Sequence, residues 1–425
     1  MRARGTVVLL VLASVLSGSA ALGQEVEAPV IVPEAQFRPR YEWDTGRDGV
    51  AGQGQVSYTT HRARLGATMM WDDFSVRLVF QDVRAWGEEL DTRRDFSADG
   101  MDLAIGVFQW SLAEPLTLTV GREEVSLLDE RLVARAGWRQ PGRHFDGLRL
   151  TWDDDRWEVE GAAYIARDGS EFNFANTDQV RPGPGNQTLS WLRGGYATDT
   201  ATAQALVVLD SRTEVEGSEI MRWTPGVFLK GQRGILKGRL EGYAQLGSVE
   251  GGDGDIRAWM VGAEGTVSPD MGGKPSFTLG YDVLSGDSDP DDDTLEAFDA
   301  IRGANHRYYG HSDIAYFLQG GRSDNRGLHN PYLRVQGEAA DKLTVRLDQH
   351  LFAPQQAQGG PAMIAAETDL EVRYQVHPAL ALSAGGSTWT PVGGNDGPTE
   401  GWMWLMLDVG GRGPKLAAPV VAGVP

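Results

Sequence analysis

Arginines near the start of the chain recur at two-residue spacing, as Arg38 and Arg40 and again as Arg62 and Arg64. Successive side chains of a β-strand point to opposite faces, so both members of a pair would project from one face. A guanidinium group binds a carboxylate through two parallel hydrogen bonds, and a row of such groups lets an anion move between weak sites. One interpretation is an anion path lined by Arg38, Arg40, Arg62, Arg64, Arg77, Arg239, Arg334, Arg346 and Arg373.

Acidic residues at alternating positions support a second interpretation of the same arginines. Glu42 falls on the face that carries Arg40, and Asp348 falls on the face that carries Arg346. An arginine paired with such a carboxylate would brace a wall instead of binding a solute. Few acids face the arginines between residues 38 and 77, so the anion path stays open as an interpretation. The other acids assigned to this face are Glu158, Glu160, Glu241, Glu338, Glu367, Asp369 and Glu371.

The segment from Gly286 to Asp293 is rich in aspartate. Carboxylate oxygens in such a run can hold Ca²⁺. The segment lacks the central glycine and the twelfth-position glutamate of an EF-hand loop, so a solvated loop is the favoured interpretation. No other metal and no cofactor is expected. The candidate calcium ligands are Asp287, Asp289, Asp291 and Asp293.

Signatures of enzymes and of nucleic-acid binding are missing from the sequence. It contains no G-x-S-x-G, H-E-x-x-H, P-loop or G-x-G-x-x-G motif, and its seven histidines are scattered. The absence of cysteine excludes disulfides and thiolate chemistry. A net charge of -20 argues against nucleic acid as a partner, because phosphate binding needs clustered lysine and arginine. We expect a protein that is not an enzyme.

The elements that must position the arginines alternate with period two. Phe37, Tyr41 and Trp43 fall on one face of the first such segment, and its charged residues fall on the other. This pattern is typical of a strand with one apolar and one polar side. Eight short connections alternate with nine long polar ones along the chain, which implies about 18 strands. The sequence therefore predicts an all-β, transmembrane antiparallel β-barrel with short periplasmic turns and long extracellular loops.

Two other β folds explain the sequence pattern less well than the barrel. A secreted β-sandwich with carbohydrate-binding loops would bury its apolar face, yet it does not require connections that alternate so regularly in length. A β-solenoid would show a sequence repeat, and none is found. Several of the 13 Trp, 11 Tyr and 13 Phe residues fall near predicted strand ends, where the aromatic girdles of a membrane barrel belong; they are Tyr41, Trp43, Trp71, Phe74, Trp152, Trp157 and Trp402.

The first residues of the chain have the pattern of an export signal. Arg2 and Arg4 precede an apolar run, and Ala21 and Gly23 fit a cleavage site before Gln24. No later stretch approaches 18 consecutive apolar residues, which excludes a helical membrane protein. We expect a monomer in the outer membrane of a Gram-negative-type cell, in contact with lipopolysaccharide and inserted by the barrel-assembly machinery. The predicted segments are a signal peptide (1–23), a periplasmic segment (24–34), the barrel (35–410) and a C-terminal tail (411–425).

Two stretches resemble the alginate-export family of outer-membrane porins. The first, residues 120–152, has the family's pattern of a strand ending in Gly-Arg, a loop with a tryptophan and an Arg-x-Phe-Asp-Gly-x-Arg strand. The second is residues 280–352. The resemblance implies a monomeric barrel whose polar lumen conducts anionic polysaccharide or smaller solutes. The residues that match the motif are Gly121, Arg122, Trp138, Arg143, Phe145, Asp146, Gly147 and Arg149, and Glu123 replaces the usual glutamine.

The sequence departs from this family in two places. The last predicted strand, residues 401–409, is followed by a Pro/Gly/Ala tail in place of a terminal aromatic residue. Every predicted periplasmic turn is short, whereas exporters of this type cover the lumen with a long periplasmic loop. The departures favour an open or loop-constricted pore over a dedicated alginate exporter. A structural or adhesive barrel with a loop-filled lumen stays open as an alternative.

Overall fold

The structure is a computed structural model that contains the protein chain alone. It describes residues 28–45, 55–87, 101–166, 187–213, 219–250, 254–289, 291–315, 325–356, 365–392 and 399–411. The predicted signal peptide and the C-terminal tail after Gly411 lie outside the described residues.

Strands account for nearly all regular structure in the described residues. They are β1 (Val30–Asp44), β2 (Val56–Met70), β3 (Phe74–Ala85), β4 (Asp102–Ala113), β5 (Leu116–Glu123), β6 (Phe145–Asp153), β7 (Trp157–Ala166), β8 (Gln187–Ala197), β9 (Ala201–Thr213), β10 (Glu219–Arg233), β11 (Leu236–Glu250), β12 (Gly254–Val267), β13 (Ser276–Leu284), β14 (Thr294–Leu295), β15 (Leu328–Ala340), β16 (Leu343–Phe352), β17 (Ala365–His377), β18 (Leu380–Pro391) and β19 (Glu400–Gly410), with one helical turn, α1 (Asn305–Tyr308).

The strands form a closed antiparallel barrel. Apart from the two-residue β14, which β13 skips to pair with β15, each strand pairs with its neighbours in sequence, and β1 closes the ring by pairing with both β2 and β19, as at Arg38↔Arg62 and Tyr41↔Leu405. The two-residue β14 pairs in parallel with β12 beside the ring. Eighteen strands therefore make the barrel, which confirms the predicted fold and strand number.

The burial pattern of the barrel is the reverse of that of a soluble sheet. In β1, Phe37 and Tyr41 are exposed on the outer face, whereas Arg38, Arg40 and Glu42 are buried inside. Apolar side chains on the outside suit a wall that faces lipid, and the closed ring pairs the backbone groups that water would otherwise satisfy. Among the described residues, no helix is long and apolar enough to cross a membrane.

Connections at the two ends of the barrel differ as predicted. Short turns join β2 to β3, β4 to β5 and the later pairs at one end, which we call the lower end, and the long loops lie at the upper end. β1 begins at Val30, inside the segment expected to precede the barrel, and its lower part pairs with β2 down to Met70. The first strand is longer than predicted because the alternation of outward apolar residues continues down to Ile31.

Candidate functional site: the loop-filled lumen

Two of the long loops fold into the barrel. We call residues 124–144, between β5 and β6, the L3 loop, and the described residues of 285–327, between β13 and β15, the L7 loop. Their buried apolar residues form one core cluster with inward residues of the wall, including Val133 of L3, Phe298 of L7 and Trp191 of β8. The upper lumen therefore has a packed interior.

One end of the L3 loop is anchored by Arg131. Its Nη2 lies 2.7 Å from Glu241 Oε1 on β11 and 2.9 Å from Asp282 Oδ1 on β13. The guanidinium also lies 3.5 Å from the ring centre of Tyr308 in L7, a cation–π contact. All three charged side chains are buried. This contact places Arg131 against the β11–β13 side of the wall.

The other end of the L3 loop is held by arginines of β1. Arg38 donates to the carbonyls of Gly137, Trp138 and Arg139 at 2.8, 3.1 and 3.0 Å, and to Gln140 Oε1 at 3.0 Å. Arg40 Nη1 donates to the Trp138 carbonyl at 2.8 Å. In the ring of eighteen strands, β1 lies almost opposite β11. The L3 loop consequently crosses the lumen from one wall to the other.

The L7 loop is attached to the wall at two further places. Asp299 Oδ2 lies 2.8 Å from Arg212 on β9 and 2.8 Å from Arg222 on β10. At the second place, Ser312 donates its backbone N–H to Glu367 Oε1 on β17 at 2.7 Å, and its hydroxyl donates to the other carboxylate oxygen at 2.5 Å. These contacts extend L7 from β9 to β17 across the inside of the barrel.

The two loops also bind each other. Val133 and Arg302 form a parallel β-bridge, and the Tyr308 hydroxyl donates to the carbonyl of Asp129. The indole of Trp138 stacks on the imidazole of His306 with ring centres 4.7 Å apart. L3 and L7 thus form one body, and releasing either loop from the wall would disturb the other.

Burial and ion pairing set the protonation of the loop groups. Burial opposes the charge of Arg131, but Asp282 and Glu241 outweigh it and raise the Arg131 pKa well above its ordinary value. Burial would raise the Asp299 pKa, yet Arg222 and Arg212 lower it below the usual range of an aspartate. Burial, together with nearby cationic groups, lowers the pKa of His311 well below 6.5. The loops are therefore held by charged pairs and by one neutral histidine.

Below the loops the lumen is lined by partly exposed arginines; we call this part the lower lumen. Arg334, for example, lies two inward positions closer to the short turns than Asn330, whose amide holds the Tyr308 carbonyl. In each of four ion pairs the guanidinium is more exposed than its carboxylate: Arg77 22% against Glu34 7%, Arg149 27% against Glu123 12%, and Arg334 20% and Arg346 24% against Asp348 1%.

Other predicted lumen residues divide between the two zones. Arg62 is buried beside Arg38, and its Nε donates to Gln36 Oε1 at 3.1 Å. Arg64 Nη2 lies 2.7 Å from Glu124 at the start of L3. Burial would raise the Glu124 pKa, but His144 and Arg64 lower it to about 2. Three pairs between lumen-facing strands show the reverse exposure, with the carboxylate more exposed than the guanidinium, namely Arg193–Glu158, Arg239–Glu264 and Arg334–Glu264. The last predicted arginine, Arg373, is exposed.

Both interpretations of the inward arginines therefore have residues that fit them. Arg40 pairs with Glu42 at 2.8 Å, and Trp402 Nε1 donates to the other oxygen of Glu42 at 3.1 Å. Arg239 lies 2.7 Å from Glu241, which also binds Arg131. These arginines brace the wall and the loops, whereas the guanidinium groups of the lower lumen face the water inside.

The motif of residues 121–149 fixes the strands that carry the L3 loop. Arg122 and Asp146 are register partners on the outer face, 2.8 Å apart, and Gly121 pairs with Gly147. A Cβ on Gly147 would meet the Ala163 carbonyl oxygen and, at 2.7 Å, the ring of Tyr164. Close backbone approach explains the glycine there.

The remaining motif residues hold the loop itself. Arg143 donates to the carbonyl of Arg302 in L7, and Phe145 lies in the core that the loops share with the wall. Arg149 reaches Glu123 at 2.8 Å, and Trp138 stacks on L7. The motif residues therefore hold L3 in its docked position inside the barrel.

Arg131 and Asp299 anchor the loops, but the pattern of the strands does not identify them. Both lie in connections, where period-two alternation does not apply. A local signal was present at Arg131, because Leu127, Leu128 and Leu132 surround it. Apolar residues in a long polar connection indicate that the loop is buried.

The aspartate run of L7 makes turns of its own backbone. Asp287 Oδ1 accepts the N–H of Asp289, and Asp289 Oδ1 accepts the N–H of Asp291, each at 3.2 Å. Asp287 is buried, and Asp291 and Asp293 are exposed. Within the described part of the chain, no three His, Asp or Glu side chains are gathered as metal ligands. Calcium binding by this run stays a prediction.

Two histidines with acidic neighbours, His144 and His61, lack the arrangement of a hydrolase acid–base pair. His144 Nε2 lies 3.6 Å from Glu124, in contact with Arg64. On the outer face, His61 Nε2 lies 3.0 Å from Asp82, but its Nδ1 accepts from Trp86 Nε1 at 2.8 Å. A hydrolase needs a nucleophile at that nitrogen, so the His61–Asp82 pair has the wrong third partner.

A family model described as alginate export matches residues 34–393 of the chain. This match covers all but the last described strand and includes both loops that enter the lumen. No curated protein matches the sequence with significance.

Solved outer-membrane structures share the barrel. The crystal structure of Pseudomonas aeruginosa OccK11 (OpdR) matches with a TM-score of 0.61 at 14% identity, over 91% of this chain and 98% of that chain. OccAB4 of Acinetobacter baumannii matches with 0.60 at 12% identity, over 89% and 98%. The outer membrane protein opdK of Pseudomonas aeruginosa matches with 0.58 at 11% identity, over 89% and 98%. At these identities the likeness shows the fold.

Proposed function

The chain belongs to the alginate-export family of outer-membrane channels, and from this premise we propose that it passes anionic saccharides or other small anions passively through its lumen. Polyuronates such as alginate are the saccharide class that the proposal includes. The family is one of channels and not of enzymes, in keeping with the absence of catalytic motifs from the sequence.

The exposure of the arginines in the lower lumen carries the proposal. At Arg77, Arg149 and Arg346 the guanidinium is more exposed than its carboxylate, and Arg334 is more exposed than Asp348, which it shares with Arg346. Water and solutes meet these cations first, so the local potential favours anions although carboxylates lie nearby. A guanidinium group binds a carboxylate in a planar fork, and neighbouring arginines offer the same geometry to the next carboxylate position. This arrangement suits an acidic sugar that moves from one arginine to the next.

The loops give the channel its constriction. L3 and L7 cross the upper lumen together and are held at β1, β9, β11, β13 and β17. A solute that enters from the long-loop side must pass beside them or displace them. We therefore propose that single saccharide units or short chains pass while the loops are docked. A polymer passes only in a state in which the loops have withdrawn.

The proposal includes the setting of the channel. A cleaved export signal (1–23), insertion by the barrel-assembly machinery, contact with lipopolysaccharide and a monomeric barrel are parts of it. Outward aromatic residues near the ends of the barrel support contact with a membrane interface. Examples are Tyr41 at the upper end of β1 and Trp157 at the lower end of β7.

A structural barrel without transport is the second candidate function. The joint packing of L3, L7 and the wall in one core favours it, because a barrel filled by loops needs no open path. The two candidates differ in one property, which is whether solute crosses the protein.

Solute flux into liposomes tests the choice. Proteoliposomes containing the full chain should swell in an isotonic solution of a uronate monosaccharide faster than in one of a neutral sugar of the same size. Protein-free liposomes provide the baseline. Swelling at the baseline rate in both solutions would support the structural barrel, and faster swelling in the neutral sugar would contradict anion preference.

A further inference from the structure

Two inward tryptophans of β19 lie beneath the loops. Trp402 pairs in register with Ser387 of β18, and Trp404 pairs with Gly385. A Cβ on Gly385 would lie 2.6 Å from the Trp404 ring, so the glycine lets the indole lie against the wall. An indole held in this way can present a face to a ligand in the lumen.

Three buried polar atoms in this part of the barrel lack a hydrogen-bond partner within the described chain. Trp404 Nε1, Ser387 Oγ and His311 Nδ1 are buried and have no hydrogen-bond partner among the residues that the structure describes. A buried donor or acceptor left unsatisfied is destabilising, because it has lost its hydrogen bonds to water. Such groups are uncommon in native interiors and need a specific explanation when several lie together.

The three atoms belong to one region of the wall. Ser387 is the register partner of Asp369 on β17, and the His311 backbone N–H donates to Asp369 Oδ2 at 3.3 Å. Trp404 lies one inward position below Trp402, the other partner of Ser387. Donors, an acceptor and an aromatic face therefore converge on one place.

Two loop rings cover this place. Trp138 of L3 meets Trp404 edge-on with ring centres 4.9 Å apart, and it also stacks on His306 at 4.7 Å. His306 in turn stacks on His311 at 4.8 Å. The planar rings of the loops thus occupy the side of Trp404 from which a ligand would arrive.

A cation stands beside the covered place. Arg40 lies 4.3 Å from the ring centre of Trp138 and pairs in register with Met406, one inward position below Trp404. A ring stacked on Trp404 would bring a carboxylate substituent within reach of this guanidinium. The combination of aromatic face, hydroxyl partners and a neighbouring arginine matches a sugar ring that carries a carboxylate.

We propose that Trp404, Ser387 and His311 form a binding subsite for one pyranose ring of a uronate, which competes with Trp138 of L3 for the same place. The inference rests on the proposed function and deepens it, because it adds recognition of the ring to recognition of the charge. The C–H face of the sugar packs on the indole, and its hydroxyls pair with Ser387 Oγ, Trp404 Nε1 and His311 Nδ1. Arg40 receives the carboxylate, and L3 withdraws.

Block of the ionic current by three probes tests the subsite. The full chain is recorded in a planar bilayer with glucuronate, glucose or acetate added. Glucuronate should bind most tightly, and Trp404→Phe and Ser387→Ala should each weaken its binding about tenfold, the effect of one lost ring contact or hydrogen bond. Trp110→Phe, on the outer face, should leave the binding unchanged. Arg131→Met, which loosens L3, should strengthen it.

The outcomes separate the subsite from the channel. Equal block by acetate and glucuronate, or block by glucuronate that Trp404→Phe and Ser387→Ala leave unchanged, would overturn the subsite while the anion-selective channel stands. Equal binding of glucose and glucuronate would remove the role of Arg40. If no current is seen, quenching of tryptophan fluorescence by glucuronate in the detergent-solubilised protein and in Ser387→Ala still decides the subsite, and the channel proposal alone fails.

Discussion

Arg131 of the L3 loop lies 2.7 Å from Glu241 on the wall of β11, although the two residues are 110 positions apart in sequence. The same loop is held at its other end by Arg38 on β1, on nearly the opposite side of the ring. Two arginines with different partners thus keep one loop stretched across the lumen. The constriction of the lumen depends on that crossing.

Loosening the Arg131 anchor should open the lumen. Arg131→Met leaves Asp282 buried without its partner and Glu241 with Arg239 alone, and breaking a buried pair costs about 3–5 kcal/mol. We expect the single-channel conductance to rise and to fluctuate between levels. Lys230→Met, at an exposed lysine 3.5 Å from Asp129, is the matched control and should leave conductance unchanged. Unaltered current in Arg131→Met would show that L3 does not limit flow.

Arginines of the two zones should differ in what their loss changes. Arg346→Gln removes a guanidinium that faces the lower lumen and should shift the reversal potential in a salt gradient toward that of cations, with little change in conductance. Arg38→Gln releases the L3 carbonyls and should raise conductance with a smaller effect on selectivity. The same recording measures both quantities. Identical effects of the two substitutions would argue against separate zones.

Acidification should release the L7 loop through His311. Burial lowers the pKa of His311 well below 6.5, so below that pH a released loop takes up a proton that the docked loop excludes. Docking is then fully stable above about pH 6.5 and weakens by about 1.4 kcal/mol for each pH unit below it, until the docked His311 itself titrates. The groups that face His311 are His306, His350, Asp369, Arg334 and Arg346.

Conductance is recorded from pH 7.5 to 5 for the wild type and for His311→Gln. The difference between the two curves isolates the effect of protonating His311. The wild type should open as the pH falls, and His311→Gln should open less steeply. The ion pairs of Asp299 with Arg222 and Arg212 persist in this range. Because the Asp299 pKa is lowered, their contribution to docking is lost only as the pH falls below the usual aspartate value. Parallel curves for the two proteins would exclude His311.

The motif glycine should be intolerant of a side chain. In Gly147→Ala the new Cβ would meet backbone and ring atoms of β7, and overpacking of this kind costs about 1–3 kcal/mol. We expect the temperature at which the folded barrel unfolds in detergent, followed by its gel mobility, to fall. Gly161→Ala on β7 is the control, since a Cβ there would meet nothing within 4 Å. Equal unfolding temperatures would contradict a packing role.

The barrel was predictable from the sequence because its rule is local. Residues such as Phe37 and Arg38 alternate wherever a strand has one face in lipid and one in the lumen, and the connections alternate in length wherever the two ends differ in exposure. The inward position of Arg38, Arg62 and Arg346 follows from the same rule.

The inside of the upper lumen was not predictable, because its contacts join distant segments without a period. Arg38 looked like a member of an anion path, and its partners prove to be carbonyls of residues about a hundred positions away. Asp299 lies in the longest connection, where neither alternation nor a motif marks it. Trp138 was identified by its motif, but its stacking on His306 depends on two loops folding together.

The reversal potential of the wild-type protein tests the central claim most directly. A single full-length barrel is placed in a planar bilayer with a tenfold gradient of potassium chloride, whose two ions have similar mobilities in water. Guanidinium groups facing the lumen predict a reversal potential displaced from zero toward the equilibrium potential of chloride, and a smaller displacement in Arg346→Gln. A potential toward that of potassium, or a protein that conducts no current, would contradict an anion channel.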